Sequence, residues 1–195
     1  MSRGLSIDGA VQAWVLAHQY RPLHQLFFWI TNAGGITAMK VLAALGAAYL
    51  WYRGRRVVGL GVILIPFITV PLFTVMKRVY ARPRPRGLDG GGAAQLTDSS
   101  FPSGHATASV AVCCTLAYVF WREGFVGRTT AILVAVLVPF VVGLSRIYLD
   151  VHWATDVLGG WGLGLLIAGL AVVLYDRYGR RAPLSHHDSM QPPAA

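Results

Sequence analysis

Two histidines, an aspartate and a set of cations stand at spacings that suit the handling of a phosphoryl group. His152 and Asp156 are four residues apart, which lets a carboxylate on the same helical face hold an imidazole's tautomer and orientation. An imidazole held in that way is a candidate nucleophile. His105, in a different stretch, is a candidate general acid for a leaving oxygen. Lys77, Arg84 and Arg146 are fixed cations that match the oxygens of a multiply charged anion. Pro102, Ser103 and Gly104 precede an apolar run. Ser103 and Gly104 would open a helix there, where unpaired backbone N–H groups and the positive dipole end attract anions. Each residue also has a plainer reading. A helix-end histidine can be merely interfacial, Lys77 can snorkel, and Asp156 can complement a helix dipole.

What the elements must do is bring these positions together. The chain has 195 residues, 55% hydrophobic and 13% charged, with a mean hydropathy of +0.53. A typical soluble domain carries about 25% charged residues, so a soluble enzyme, a nucleic-acid module and a disordered chain are all excluded. The balance reads as one compact integral-membrane domain, residues 1–181, followed by a disordered polar tail, 182–195. Lys plus Arg total 17 against 8 acids. An excess of that size on an apolar chain points to membrane-flanking loops or an anion site, with no nucleic-acid partner. Lys40 and Lys77 are the only lysines, so the positive charge is mostly guanidinium.

Five stretches are apolar and long enough to cross a bilayer core of roughly 30 Å: 26–52, 57–76, 104–121, 130–149 and 157–175. The fold class expected is therefore all-α, a polytopic bundle of five or six transmembrane helices. Asn32, Gly34 and Gly35 interrupt the first stretch and predict a kink there. Residues 5–25 mix apolar positions with Asp8, Gln12, His18, Gln19, Arg21 and His24. They read as an N-terminal interfacial helix stopped near Pro22. Residues 1–20 lack a basic start followed by an apolar core, so the spans themselves direct insertion.

Alternation of five spans puts Arg53, Arg55, Arg56, Arg122, Arg128, Arg177, Arg180 and Arg181 on one side, which the positive-inside rule makes cytoplasmic. The other side receives Lys77, Arg78, Arg82, Arg84, Arg86 and Arg146 against that rule. Ser103, His105, His152 and Asp156 fall on this second side too. Groups tens of residues apart thus collapse into one neighbourhood, where charges that break the rule have a reason to gather.

The rest of the chain supports the bundle. The glycines of the last span, with Gly160–Gly164 and Gly164–Ala168 spaced as small-xxx-small pairs, predict close helix packing. Pro66, Pro71 and Pro139 lie within spans and predict kinks. Residues 86–100 read as a flexible Gly-rich loop, and Cys113 and Cys114 as small buried hydrophobes.

Three motifs in order carry a resemblance. Lys77, six residues, then Arg84-Pro85; Pro102-Ser103-Gly104-His105; and Ser145-Arg146, five residues, His152, three residues and Asp156 resemble the three motifs of the type 2 phosphatidic acid phosphatase superfamily. A register through Arg82-Pro83 leaves only four intervening residues and fits less well. The resemblance implies a phosphatase with a phosphohistidine intermediate, needing no metal and no cofactor. His152 would be the nucleophile, Asp156 its orienting carboxylate and His105 the proton donor. Lys77, Arg84, Ser103, Gly104 and Arg146 would bind the phosphate. Asp150 is left as a possible partner of an arginine. Length and span number resemble the small bacterial lipid phosphatases, which implies a membrane lipid phosphate as partner and a multi-pass protein of the cytoplasmic membrane with its site facing outward. That outward face favours undecaprenyl or another polyprenyl diphosphate. Phosphatidic acid and phosphatidylglycerol phosphate remain alternatives, as do phosphotransfer to a lipid and non-catalytic phospholipid binding or transport.

Overall fold

Seven α-helices follow one another in the computed structural model, which describes residues 7–85 and 99–179. They are α1 (Ile7–Ala17), α2 (Arg21–Ala33), α3 (Ile36–Tyr52), α4 (Arg56–Tyr80), α5 (Gly104–Arg122), α6 (Arg128–Tyr148) and α7 (Ala154–Leu174). A π-helical turn, Tyr175–Gly179, extends α7. The Gly-rich loop expected at 86–100, apart from its last two residues, and the tail expected at 182–195 lie outside the described residues.

The architecture is the expected all-α membrane bundle. Helices α4, α5, α6 and the extended α7 are each long and apolar enough to cross a bilayer. Helices α2 and α3 qualify as a fifth span only together, bent by 47° at their junction. Gly34 and Gly35 occupy that junction, where the sequence predicts a kink. The expectation at Pro22 needs correction. The N-terminal helix already ends at Ala17, and Pro22 sits in the first turn of α2. A missing N–H costs nothing in a first turn, so this proline starts a helix. Pro66, Pro71 and Pro139 lie inside continuous helices.

Helix α5 is the axis of the bundle. Its most apolar window is 72% buried, against 39% or less in the other three full spans. The reason is its composition: Ala106, Thr107, Ala108, Ser109, Ala111 and Cys113 are small and buried, and small residues let neighbouring backbones approach. Its hydroxyls are satisfied within the helix, Thr107 Oγ1 donating to the Ser103 carbonyl and Thr115 Oγ1 to that of Ala111. Helix α7 brings its glycines to this surface. A Cβ built at Gly160 would come within 2.7 Å of the Ser103 carbonyl oxygen, and one at Gly164 within 2.7 Å of the Thr107 carbonyl oxygen. The glycine spacing of the last span is therefore a packing device, as expected. Cys113 and Cys114 carry free thiols, Cys113 buried in the core.

The outward faces of α4, α6 and α7 expose Phe67, Ile68, Val136, Leu166 and Leu170, as lipid contact requires. Exposed aromatics mark both ends. Trp14, Tyr20, Trp29 and Tyr80 lie at one end, Trp51, Tyr52 and Tyr178 at the other, the placement such rings take at membrane–water boundaries. The second end is tied by a buried ion pair. Arg55 Nη2 is 2.8 Å from Glu123 Oε1 and donates to the Gly179 carbonyl at 2.7 Å, while Tyr175 Oη donates to the same Glu123 oxygen at 2.8 Å. Arg55 is thus a structural link, and residues 55, 123 and 179 share one end, as the alternation of spans requires.

Candidate active site

At the opposite end the termini of α4, α5 and α6, the start of α3 and the segment before α7 surround a cavity of about 720 Å³. Its lining includes Lys77, Arg84, Gly104, His105, Arg146 and His152. Ser103 and Asp156, fully buried, support its wall. All eight residues singled out in the sequence therefore meet in one place. Ile36, Phe73 and Thr74 line the cavity's α3–α4 side.

His152 stands just outside α7, before the N-cap residue Trp153, and Asp156 is the third residue of that helix. The pair is thus held across a helix start instead of along one helical face. The peptide N–H of Trp153 donates to Asp156 Oδ2 at 2.9 Å, so the carboxylate also caps the helix. Its Oδ2 lies 3.4 Å from His152 Nδ1. On the other side of the ring Arg84 Nη1 approaches Nε2 at 3.2 Å and donates to the Val151 carbonyl at 2.9 Å. A guanidinium has only donors, so Nε2 must present its lone pair and the proton must reside on Nδ1, facing Asp156. Burial pushes the His152 imidazole down to about 4, with Arg146 and Arg84 adding to that shift and Asp156 opposing it. At neutral pH the ring is uncharged, with the Nε2 electron pair facing Arg84 on the cavity wall.

The cations are anchored by their surroundings. Lys77, 8% exposed, donates to the Ser99 carbonyl at 2.6 Å. Arg146 Nη1 donates to Thr31 Oγ1 of α2 at 2.8 Å, while its buried Nε meets no acceptor among the described residues. Ser103 is the N-cap of α5, and its buried Oγ likewise has no partner among the described residues. Its peptide N–H donates to the carbonyl of Asp156 at 3.0 Å, which couples the α5 start to the start of α7. A Cβ on Gly104 would press on Phe73 at 3.1 Å, and a Cβ on Gly35 would lie 3.4 Å from His105 Nε2. Backbone comes close to the cavity at both glycines. The arrangement offers a neutral imidazole, a second imidazole on α5, three cations and a helix N-terminus around one cavity.

Several contributors escape the motifs. Arg78 lines the mouth, Thr31 holds Arg146, and Asp8, Arg82 and Thr155 form a network behind Asp156. Arg84, not Arg82, reaches His152, in agreement with the six-residue spacing. The one signal for Asp8 was an acid among the polar positions of the N-terminal helix. Asp150 departs from the expectation that its partner is an arginine. Its Oδ1 accepts from Gln12 Nε2 at 3.0 Å, and its buried Oδ2 has no partner among the described residues. It adopts a left-handed backbone, φ +52, which turns its side chain toward α1. Burial raises its carboxyl above the ordinary value, and the Gln12 contact works against that.

A family model described as the PAP2 superfamily matches residues 56–180. The chain belongs to that superfamily. As a member it is a multi-pass membrane protein and a phosphatase of lipid phosphates. It is similar to phosphatidylglycerophosphatase B of Bacillus subtilis, 30% identical over 166 residues that cover 83% of this chain and 80% of the relative. It is also similar to an undecaprenyl-diphosphatase of Sulfolobus acidocaldarius, 32% identical over 150 residues, 69% of this chain and 68% of the relative. The crystal structure of a transmembrane PAP2 type phosphatidylglycerolphosphate phosphatase from Bacillus subtilis superposes with a TM-score of 0.82 at 27% identity, covering 93% of this chain and 90% of that one.

Proposed function

We propose that this PAP2 protein hydrolyses a polyprenyl diphosphate, undecaprenyl or a close relative, at the outer face of the cytoplasmic membrane without a metal ion. His152 Nε2 attacks the terminal phosphorus in line, forming an N–P bond as the P–O bond to the lipid phosphate breaks. Asp156 holds the ring and stabilises its charge. His105 delivers a proton to the departing oxygen. Lys77, Arg84, Arg146, the Ser103 hydroxyl and the Gly104 amide bind the equatorial oxygens and stabilise their charge in the transition state. Water, activated by His105 as base, then cleaves the phosphohistidine to inorganic phosphate.

One observation carries the reading: the 3.2 Å approach of Arg84 Nη1 to His152 Nε2, a cation beside an uncharged imidazole nitrogen on the wall of a cationic cavity. Outward orientation is supported by the arginines at the other end, which the positive-inside rule assigns to the cytoplasm. The similarity to an undecaprenyl-diphosphatase supports the prenyl substrate. A second reading, phosphatidylglycerol phosphate, is favoured by the structural likeness and its 93% coverage. It uses the same chemistry with a different apolar tail.

The test is phosphate release by the purified protein in detergent across prenyl diphosphates, phosphatidylglycerol phosphate and phosphatidic acid, with chelator present. We expect prenyl diphosphates to turn over fastest and His152→Ala to be inactive. Wild-type release by His152→Ala overturns the mechanism. Faster turnover of phosphatidylglycerol phosphate selects the second reading.

A further inference from the structure

Behind Asp156, on the side away from His152, lies a charged chain that the motifs do not account for. The Arg82 guanidinium is shared between two carboxylates. Its Nη1 donates to Asp156 Oδ1 and to Thr155 Oγ1, both at 2.7 Å, and its Nη2 donates to Asp8 Oδ2 at 2.6 Å. Asp8 in turn takes the Thr155 peptide N–H at 2.9 Å and the Thr155 hydroxyl at 2.6 Å. Asp8 belongs to α1, an 11-residue helix that packs on the ends of α6 and α7. One turn later Gln12 holds Asp150, so α1 grips the chain both before and after His152.

We propose that Arg82 and Asp8 are positioning residues for the His152–Asp156 pair, and that α1 is the strap that keeps them in place. This rests on His152 being the nucleophile. A carboxylate bound through one oxygen is free to rotate. With Arg82 on Oδ1, the other oxygen of Asp156 is directed at the Trp153 N–H and at His152 Nδ1. Arg82 also draws off part of the Asp156 charge, which keeps the imidazole easier to deprotonate. Although Arg82 borders the cavity, both ends of its fork are occupied by protein oxygens, which separates it from the phosphate-binding cations. Burial alone would push the Asp8 carboxyl up, yet the bonds from Thr155 and Arg82 outweigh it and hold the group below its ordinary value. Asp8 therefore stays ionised and keeps its hold on Arg82. The charges facing His152 are Asp156, Arg84 and Arg146, with His105 and Lys77 further round the cavity; those facing Asp156 are His152, Arg82 and, beyond it, Asp8.

The experiment is steady-state kinetics of the full chain in detergent, with a short prenyl diphosphate as substrate and thermal unfolding recorded for each variant. Arg82→Gln lowers kcat by about 10–100-fold, the range for groups that orient a functional histidine, and leaves KM within about twofold. It moves the acid limb of kcat/KM to higher pH, because the His152 ring then sits beside a less neutralised carboxylate. Asp8→Asn lowers kcat by a smaller factor, but because it removes a negative charge it does not move the acid limb to higher pH. Arg82→Gln added to Asp156→Asn costs little more than Asp156→Asn alone, since the two act as one unit. Arg82→Lys, which keeps the charge without the fork, restores the acid limb but not kcat. The proposal is overturned by a raised KM at unchanged kcat, by an unshifted acid limb in Arg82→Gln, or by fully additive losses in the double variant. If His152→Ala remains active, the nucleophile assignment itself is what fails. If His152→Ala is inactive while Arg82→Gln matches wild type, the strap alone fails.

Discussion

Arg84 and His152 face each other across 3.2 Å, guanidinium to ring nitrogen, and the contact fixes which imidazole nitrogen carries the lone pair. The same Nη1 is tied to the Val151 carbonyl, so the arginine is aligned by backbone one residue away from the histidine it serves. Both contacts use one nitrogen of the planar group, and a lysine, with a single nitrogen, has no second arm to offer a phosphate oxygen. Arg84→Lys is expected to lower kcat by about 100-fold, the cost of removing one oriented donor from a developing charge, and Arg84→Ala by more. Steady-state rates with a prenyl diphosphate measure this, and an Arg84→Lys enzyme within threefold of wild type would contradict it.

The His152 ring should titrate near 4, well below the 6.5 of an exposed imidazole. Between those values the unfolded chain binds a proton that the native chain does not, so acidification through that window destabilises the fold and raising the pH restores it. Two measurements check this. Ring 15N shifts of the labelled protein, assigned with His152→Gln, should show no protonation at pH 5.5. The melting temperature of wild type should fall between pH 6.5 and 4 more steeply than that of His152→Gln.

Ser103 carries a buried hydroxyl with no partner among the described residues. Leaving such a group unbonded costs about 1–3 kcal/mol, which a bound phosphate oxygen would offset. Ser103→Ala is therefore expected to raise the melting temperature of the ligand-free protein while lowering kcat by about 100-fold. Lower stability together with unchanged kcat would assign the hydroxyl to the fold.

At the far end, Glu123→Gln should separate stability from catalysis. Arg55 and Glu123 are 9% and 12% exposed, and removing one partner of a buried pair costs about 3–5 kcal/mol. Chemical unfolding should register that loss, with kcat unchanged because the pair lies at the end of the bundle opposite the cavity.

The motif residues were legible because each sits at the end of a span, and span parity alone decides which ends share a side. Lys77, Arg84, Ser103, His105, Arg146 and His152 needed nothing more. Asp8, Arg82 and Thr31 were not legible, since their roles depend on how α1 and α2 lie against the bundle, and helices that do not cross by themselves have no parity. The same gap explains Pro22 and Asp150. A proline at position 22 suits a helix start as well as a stop, and the carboxyl of Asp150 turns to α1 through a backbone conformation that no neighbouring glycine announced. Arg78 was visible as a cation on the site's side, but nothing in its spacing distinguished it from an exposed charge.

Gly160 and Gly164 bring the backbone of α7 directly onto the carbonyls of Ser103 and Thr107. No flexible side chain separates the helix that opens at Ser103 from the helix that carries Asp156, and a hydrogen bond from the Ser103 peptide N–H to the Asp156 carbonyl links the two starts directly. Helices α4 and α6 meet lipid through long aliphatic groups and can tilt as the bilayer thins or thickens. The α5–α7 seam has no such slack. The registry of the Ser103 and Asp156 helix starts is thereby insulated from membrane thickness, whereas Lys77 and Arg146 ride on the lipid-facing α4 and α6.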